Sequence, residues 1–289
     1  MPTQGVRVRV PASSANLGPG FDVLAVALDL WLELEVVPAR EFSFTTKLDV
    51  PTDHTNIAVE AFSQVGDPGH AAFTMRSEIP LSGGMGSSAA ARVAGAYAAL
   101  VMAGDEPREA RHAALAIATE LEGHPDNASA AVLGGVSVEL PDGALTLTVP
   151  QRLAFIVVAP HQSVSTTEAR AALPAEVPMR DAAFNVGQAM ALAAGLASRD
   201  LDLLARGLGD RLHQPYRAHL YPKSAQLLAD AKHLGALDAT ISGAGPTVLI
   251  WCERDALTEV LAKVKEEASG WATAFAVDPS DRGAEAIPL

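Results

Sequence analysis

Alternating apolar and polar residues predict three β-strands near the start of the chain. Residues 6–10 alternate valine with arginine, and residues 31–37 set apolar residues against two glutamates, which is the two-residue period of a half-buried strand. Pro38 closes the second run, because proline has no backbone N–H for a sheet ladder. Residues 71–77 predict a third, shorter strand.

A helical period dominates the following segment. Residues 87–102 are rich in alanine and place apolar side chains on one face, with Gly104 as a suitable C-cap. A second helix is predicted over residues 108–121, opened by Pro107. Further helices are predicted at 180–198, 201–212, 223–234 and 256–268, and further strands at 136–140, 144–149, 153–159, 239–242, 248–252 and 272–277. This mixture predicts an α+β fold with two domains, residues 1–158 and 159–289.

Composition and charge narrow the function classes. Of the 289 residues 49% are apolar and 19% are charged, with a formal net charge of −13 that disfavours nucleic acid as a partner. Cys252 is the only cysteine, which excludes an internal disulfide and is typical of a reducing compartment. No uncharged apolar run reaches the roughly 18 residues of a membrane span, and the first residues lack a signal-peptide block. We therefore expect a cytoplasmic protein with no membrane partner.

The segment Pro-Leu-Ser-Gly-Gly-Met-Gly-Ser-Ser-Ala-Ala at residues 80–90 lies between a predicted strand and a predicted helix. Its glycines allow the backbone to approach a ligand closely, and an unobstructed helix N-terminus attracts anions. The segment lacks the lysine of the G-x-x-x-x-G-K-[ST] loop and the spacing of G-x-G-x-x-G. Taken alone, it is interpreted equally well as a flexible turn capped by serine.

Two more glycine-containing segments help to interpret this loop. Residues 11–22 read Pro-Ala-Ser-Ser-Ala-Asn-Leu-Gly-Pro-Gly-Phe-Asp, and residues 241–247 read Ile-Ser-Gly-Ala-Gly-Pro-Thr. In this order and spacing, the three segments resemble the three motifs of the GHMP kinase family, with Met85 at a position where leucine is usual. The resemblance implies a two-lobed α+β fold, with an N-terminal lobe like domain 2 of ribosomal protein S5 and a ferredoxin-like C-terminal lobe. It also implies transfer of the γ-phosphoryl group of ATP to a hydroxyl of a small metabolite.

The same resemblance assigns the nucleotide site. It places the ATP phosphates at Pro80, Leu81, Ser82, Gly83, Gly84, Met85, Gly86, Ser87, Ser88, Ala89 and Ala90. It places the adenine near Asn56, which is otherwise a simple helix N-cap. Magnesium would be held by Ser87 and Glu122, with Glu120 as an alternative because only Gly123 separates Glu122 from His124. Either glutamate is also explained as a solvated residue at a helix end.

The phosphate acceptor is indicated by Glu-Leu-Glu-Gly-His-Pro-Asp-Asn at residues 120–127. This stretch is similar to the H-x-D-N pattern of the branch that phosphorylates L-homoserine. The position where many relatives carry an aspartate base has Asn127. The resemblance therefore implies that His124 and Asn127 contact the acceptor without removing its proton, which suits a reaction that depends on positioning and charge. For Asp126 and its neighbours a helix-capping turn is the alternative.

Other motif positions complete the assignment. By resemblance, Asn16, Thr166 and Glu122 are the catalytic residues, and L-homoserine is bound by Asn16, Asp22, His124, Asn127, Arg170, Arg217 and Gly243. The arginines would clamp the acceptor carboxylate, since a guanidinium matches its two oxygens. An Asx-turn at Asn16, a cap at Asp22 and surface charges are the simpler alternatives. The sequence leaves open a homodimer, a mevalonate-type acceptor and a non-catalytic metabolite sensor.

Overall fold

The computed structural model describes residues 4–81 and 83–289. The strands are β1 (Val6–Ala15), β2 (Leu24–Pro38), β3 (Ser43–Thr46), β4 (Ala71–Ser77), β5 (Val136–Leu140), β6 (Gly143–Leu147), β7 (Leu153–Pro160), β8 (Asp238–Ile241), β9 (Val248–Glu253), β10 (Ala272–Val277) and β11 (Glu285–Pro288). The helices are α1 (Ile57–Ser63), α2 (Ser87–Ala103), α3 (Pro107–Glu122), α4 (Asp126–Leu133), α5 (Thr166–Ala171), α6 (Met179–Ser198), α7 (Leu201–Arg206), α8 (Gln214–Arg217), α9 (Pro222–Asp230) and α10 (Leu257–Glu267). Within these ranges, no helix is long and apolar enough to cross a bilayer.

The first lobe is built on a seven-stranded sheet in which β11, β1, β2, β4 and β3 are neighbours in that order. Strand β2 is longer than the sequence predicts, because residues 24–26 at its start pair with β5 and residues 32–38 at its end pair with β4. Its first five residues are all buried, so this part lacks the polar alternation that marks a half-buried strand. Helices α2 and α4 pack on this sheet, and Gly104 ends α2 at φ 102° as predicted.

The second lobe carries a four-stranded antiparallel sheet in the order β10, β7, β9, β8. With α10 between β9 and β10, this order is that of a ferredoxin-like fold, which confirms the expected architecture. One face of the sheet is covered by α9 and α10. On the other face Phe155 and Trp251 meet edge to face at 4.9 Å and join the core of the first lobe. The two lobes therefore share a hydrophobic core.

Sheet membership places the change of lobe earlier than the sequence does. The predicted division between residues 158 and 159 falls inside β7, all of which pairs with strands of the second sheet. The chain changes sheet between β6 and β7. Strand β11, which the sequence analysis did not predict, then returns to the first sheet and pairs with β1.

One long predicted helix is shorter in the structure. The helix predicted at 201–212 ends at Arg206, and the chain then bends around the buried Asp210. The Asp210 carboxylate accepts hydrogen bonds from the backbone N–H groups of Leu212, His213 and Gln214. This carboxylate starts α8, which carries Arg217. The helix predicted at 223–234 likewise ends early, at Asp230.

Candidate functional site

A cleft of about 830 Å³ lies between the lobes and contains most of the predicted site residues. The predicted residues that line it are Asn16, Asp22, Leu81, Gly83, Gly84, Met85, Gly86, Ser87, Ser88, Ala89, Glu122, His124, Asn127, Thr166, Arg170, Arg217 and Gly243. Three predicted residues, Asn56, Pro80 and Ala90, do not line this cleft. Ser82 lies outside the described residues. Asn56 lines a smaller adjoining cavity of about 130 Å³.

Hydrogen bonds join the three glycine-containing motifs. The Ser242 hydroxyl of the third motif donates to the Gly84 carbonyl at 2.6 Å. The Ser13 N–H of the first motif donates to the Met85 carbonyl at 3.2 Å. The Asn16 side-chain amide donates to the Gly243 carbonyl at 2.8 Å, which ties the first motif to the third. The motifs are far apart in sequence and form one wall of the cleft.

The glycine-rich loop presents the start of α2 to the cleft. Gly86 is the N-cap residue of α2, with φ 67°, and no side chain among residues 4–81 and 83–289 caps the first turn. A Cβ at Gly86 would overlap the Ser13 hydroxyl, so a larger residue does not fit here without a shift. The first turn also lacks an acidic residue. Its N–H groups and the positive end of the helix dipole therefore remain available to an anion.

Glu122, at the end of α3, faces this helix start. The Ser88 hydroxyl donates to its carboxylate at 2.5 Å, and the Arg92 guanidinium pairs with the same carboxylate. The hydroxyl that contacts Glu122 is that of Ser88, and Ser87, which the sequence analysis named with Glu122 as a magnesium ligand, also lines the cleft. Glu120 is exposed and does not line the cleft, so the structure favours Glu122 of the two candidates.

Arg92 was missed by the sequence analysis. It lies one helical turn after Ser88 on α2 and also reaches Glu60 at 3.6 Å. The spacing of four residues between Ser88 and Arg92 could have indicated a shared face. Sequence alone did not show that Glu122, on another helix, lies opposite that face.

His124 is oriented by a buried carboxylate. Its Nδ1 lies 2.9 Å from the Asp126 carboxylate, whose residue is only 2% exposed. This hydrogen bond raises the pKa of His124 above its ordinary value, although partial burial of the ring opposes the shift. The cationic form of His124 therefore persists to higher pH, and Asp126 does more than cap a helix.

Asn127 is oriented by Ser13. The Ser13 hydroxyl donates to the Asn127 side-chain oxygen at 2.9 Å, which leaves the amide nitrogen as the free polar end. Since Asn127 lines the cleft, it offers a hydrogen-bond donor there. An amide donor cannot act as a general base.

Arg217 is a buried cation that lacks an acidic partner. The residue is 2% exposed, and no carboxylate among residues 4–81 and 83–289 lies within ion-pair distance of it. Its Nε donates to the Ala169 carbonyl at 2.9 Å, and burial lowers the pKa of the guanidinium. A buried, unpaired charge is unfavourable unless an opposite charge joins it. Arg217 therefore marks the part of the cleft that suits an anionic group.

His213 supports Arg217 and was not identified from the sequence. Its Nε2 donates to the Gly18 carbonyl at 2.8 Å, and its Nδ1 lies 3.4 Å from Arg217. The ring is fully buried, and this burial lowers the pKa of His213. The neutral imidazole therefore holds the first-motif turn and the guanidinium together. Nothing in the local sequence distinguishes it from an ordinary core histidine.

Asp22 and Arg170 form a two-pronged ion pair across the cleft. Two guanidinium nitrogens of Arg170 each lie 3.0 Å from one of the two carboxylate oxygens of Asp22. Asp22 has φ 55° and Asn16 has φ 61°, conformations that are uncommon for residues with a side chain. The Asn16 side-chain oxygen accepts the Asp22 N–H at 2.8 Å and so stabilises this turn.

Thr166 and Arg170 share a helix face, as the sequence predicts. Helix α5 begins at Thr166, and the Ser165 side chain caps it by accepting the Glu168 N–H at 3.1 Å. Thr166 and Arg170 are one turn apart, and both line the cleft. The second lobe thus contributes a hydroxyl and a guanidinium opposite the glycine-rich loop of the first.

Comparisons with known proteins match both lobes. The model of the GHMP kinases N terminal domain matches residues 54–135, and that of the GHMP kinases C terminal region matches residues 192–270. Homoserine kinase of Moorella thermoacetica is 41% identical over 85% of this chain and 86% of that protein, and a homoserine kinase of Thermus thermophilus is 41% identical over 84% and 85%. The crystal structure of homoserine kinase from Cytophaga hutchinsonii has a TM-score of 0.86 at 26% identity and covers 98% of both chains.

Proposed function

The chain belongs to the GHMP kinase family, and from this premise we propose that it transfers the γ-phosphoryl group of ATP to the side-chain hydroxyl of L-homoserine. The product, O-phospho-L-homoserine, would enter threonine biosynthesis. One observation carries the choice of acceptor: the buried, unpaired Arg217 lies in the same cleft as an uncapped helix start. The cleft thus suits a triphosphate and, beside it, a small acceptor with a carboxylate.

The nucleotide would lie along the glycine-rich loop, with its phosphates on the N–H groups at the start of α2. The adjoining cavity is walled by Leu48, Ile57 and Met75, which suits the flat face of an adenine. Asn56 borders this cavity, but it also caps α1: its oxygen accepts the Ala58 N–H and its nitrogen donates to the Pro51 carbonyl. Adenine recognition is therefore expected to depend mainly on apolar contacts.

Magnesium fits the donor set beside the phosphates. Glu122 offers a carboxylate and Ser88 a hydroxyl, both hard oxygen donors of the kind that Mg²⁺ prefers. In the described part of the chain no three acidic, histidine or cysteine side chains cluster to hold a metal, so phosphate and water oxygens would complete the shell. Bound there, the ion would supply neutralisation of charge on the phosphate oxygens.

Glu122→Gln is expected to lower kcat by about a hundredfold and to raise the magnesium concentration needed for half-maximal rate, because one charged ligand is lost. Steady-state kinetics over a magnesium series measures both effects. Glu120→Gln is the matched control, two residues earlier on the same helix but exposed and outside the cleft. Equal effects of the two substitutions would remove Glu122 from the metal site.

The acceptor would be held by groups that orient it and offset charge. The carboxylate pairs with Arg217 and Arg170, which line the same cleft, while Asn127 and His124 point donors towards the hydroxyl and the transferring phosphoryl group. Neither of these two side chains is assigned as a base: Asn127 is an amide, and the hydrogen bond to Asp126 raises the pKa of His124 and so favours its protonated form. Catalysis here would depend on alignment and charge stabilisation, which a loose phosphoryl-transfer transition state permits.

Asp126→Asn is expected to shift the pH profile of kcat/KM for L-homoserine. The raised pKa of His124 depends first on its hydrogen bond to Asp126, whereas burial of the ring lowers that pKa. Without the carboxylate the pKa of His124 falls, so the cation is lost, and the rate declines, at lower pH than in the parent protein. An unshifted falling limb would show that His124 is not the titrating group.

The proposed function is tested by measuring ADP release with a panel of alcohols. L-Homoserine is expected to stimulate release strongly, whereas mevalonate and alcohols that lack the amino acid head are not, because they leave buried polar groups unpaired. A preference for mevalonate would indicate another branch of the family. No stimulation by any alcohol would favour a metabolite sensor.

A further inference from the structure

The ion pair between Asp22 and Arg170 bears on how the protein selects its acceptor. Both residues line the cleft, and both guanidinium–carboxylate contacts are 3.0 Å. The proposed acceptor is a zwitterion, with one carboxylate and one ammonium group. The free protein therefore already contains, within its own chain, the two charges that the acceptor brings.

The surrounding charges show what Asp22 does in the free cleft. The guanidinium carbons of Arg170 and Arg217 lie 5.6 Å and 5.3 Å from the centre of the Phe21 ring, so two cations face the same space. Burial is the main cause that lowers the pKa of Arg217; the positive charge of Arg170 lowers it further, and the negative charges of Asp22 and Asp210 raise it. Asp22 thus offsets the two cations, as an acceptor carboxylate would.

Resting on the proposed function, we infer that Asp22 determines acceptor specificity by partner exchange. In the free protein the Asp22 carboxylate is paired with Arg170. A zwitterion replaces both partners at once, because its carboxylate takes Arg170 while its ammonium group takes Asp22. A ligand with only a carboxylate must compete with Asp22 for Arg170 and leaves Asp22 unpaired. A ligand with only an ammonium group leaves Arg170 unpaired.

The strength of the pair suits such an exchange. The side chains of Arg170 and Asp22 are 47% and 33% exposed, and exposed pairs of this kind are weak enough to open readily. The expected penalty for a ligand with one charged group is therefore modest, about twofold to fivefold in affinity. Whether a substitution strengthens or weakens ligand binding is therefore a sharper test than the size of the change in affinity.

Asp22→Asn is a suitable variant. Residue 22 is held at φ 55° by its N–H bond to Asn16, and asparagine tolerates this left-handed conformation better than most residues. The substitution removes the negative charge and keeps the shape. Partner exchange predicts opposite effects on two ligands. L-Homoserine, which loses its ammonium partner, should bind about fivefold more weakly, while 4-hydroxybutanoate, which gains an uncontested Arg170, should bind about twofold to fivefold more tightly.

The reciprocal variant Arg170→Gln tests the role of Arg170 in the exchange. It frees Asp22, so 3-aminopropan-1-ol should bind more tightly than it does to the parent, and L-homoserine more weakly. Asp181→Asn is the matched control, because Asp181 pairs with Arg211 at 3.2 Å and does not line the cleft. It removes one negative charge elsewhere and should change none of the three affinities.

The experiment is isothermal titration of each ligand into the protein saturated with Mg²⁺ and a non-hydrolysable ATP analogue. Gains for the matching single-charge ligand in both cleft variants support partner exchange. If 4-hydroxybutanoate binds Asp22→Asn no better than it binds the parent, while L-homoserine still weakens, Asp22 only contacts the ammonium group and the inference is overturned. Absence of L-homoserine binding to the parent protein would instead contradict the proposed function, so the two failures are distinguishable.

Discussion

Replacing Arg217 with alanine is expected to raise the KM for L-homoserine by about a hundredfold and to leave the KM for ATP nearly unchanged. Loss of one partner from a buried, hydrogen-bonded charge pair removes several kcal/mol of binding free energy. This corresponds to a loss of affinity of about a hundredfold or more. Arg217 has no acidic partner of its own in the described chain, so the acceptor carboxylate would be that partner. Steady-state kinetics with each substrate varied in turn measures the two constants.

Two further variants are needed to interpret the change in KM. Arg217→Lys keeps the charge but loses the planar fork, so a smaller rise in KM is expected. Arg211→Ala is the matched control: its guanidinium also lies over a phenylalanine ring, 4.0 Å from the centre of Phe184, but outside the cleft. An equal rise in the two KM values for Arg217→Ala would indicate a general distortion, and a silent result would place the carboxylate elsewhere.

Gly86→Ala is expected to weaken nucleotide binding by about a hundredfold, because small displacements of a binding group are enough to produce losses of that size. The added methyl group overlaps the Ser13 hydroxyl, and φ 67° is strained for alanine. Both effects move the first turn of α2, whose N–H groups would hold the phosphates. Titration with Mg²⁺ and a non-hydrolysable ATP analogue measures the dissociation constant.

The other end of the same helix supplies the control. Gly104 follows α2 at φ 102°, and a Cβ there meets no atom of the described part of the chain within 4 Å. Gly104→Ala therefore brings a comparable backbone strain of about 1 kcal/mol without touching the loop. It should lower the free energy of unfolding slightly and leave nucleotide affinity intact. Equal loss of affinity in both variants would mean that helix stability, and not the loop, controls binding.

Much of the fold could be predicted from local pattern. Strand β4 and strand β10 have the bounds that their apolar runs predict, and α2 ends at the glycine chosen as its cap. These elements follow from alternation, helical period and chain-ending residues, all of which are local. The ferredoxin-like strand order followed from the family resemblance and was confirmed.

Features that depend on distant contacts could not be predicted. The place of β7 in the second sheet depends on pairing with β9 and β10, which lie far along the chain. Helix α7 is short because a buried carboxylate at Asp210 organises the next turn, although the apolar period continues. Neither pairing partner nor burial is visible in a short window of sequence.

At the candidate site, too, local features could be predicted from the sequence and features that depend on distant contacts could not. Motifs identified the glycine-rich loop and two arginines, Arg170 and Arg217, which line one cleft. They did not identify Arg92, whose partner Glu122 is on another helix, or His213, whose role depends on being enclosed beside Arg217. Sequence therefore indicated groups that line the cleft, while the contacts that support them could be seen only in the folded chain.

The most direct test of the central claim is ³¹P NMR of the protein with Mg²⁺, ATP and L-homoserine. We expect the γ-phosphate resonance to be replaced by a phosphomonoester signal coupled to a methylene group, in step with the formation of ADP. The same mixture without L-homoserine should keep its ATP. Release of inorganic phosphate alone, or ATP that persists in the presence of L-homoserine, would contradict the account.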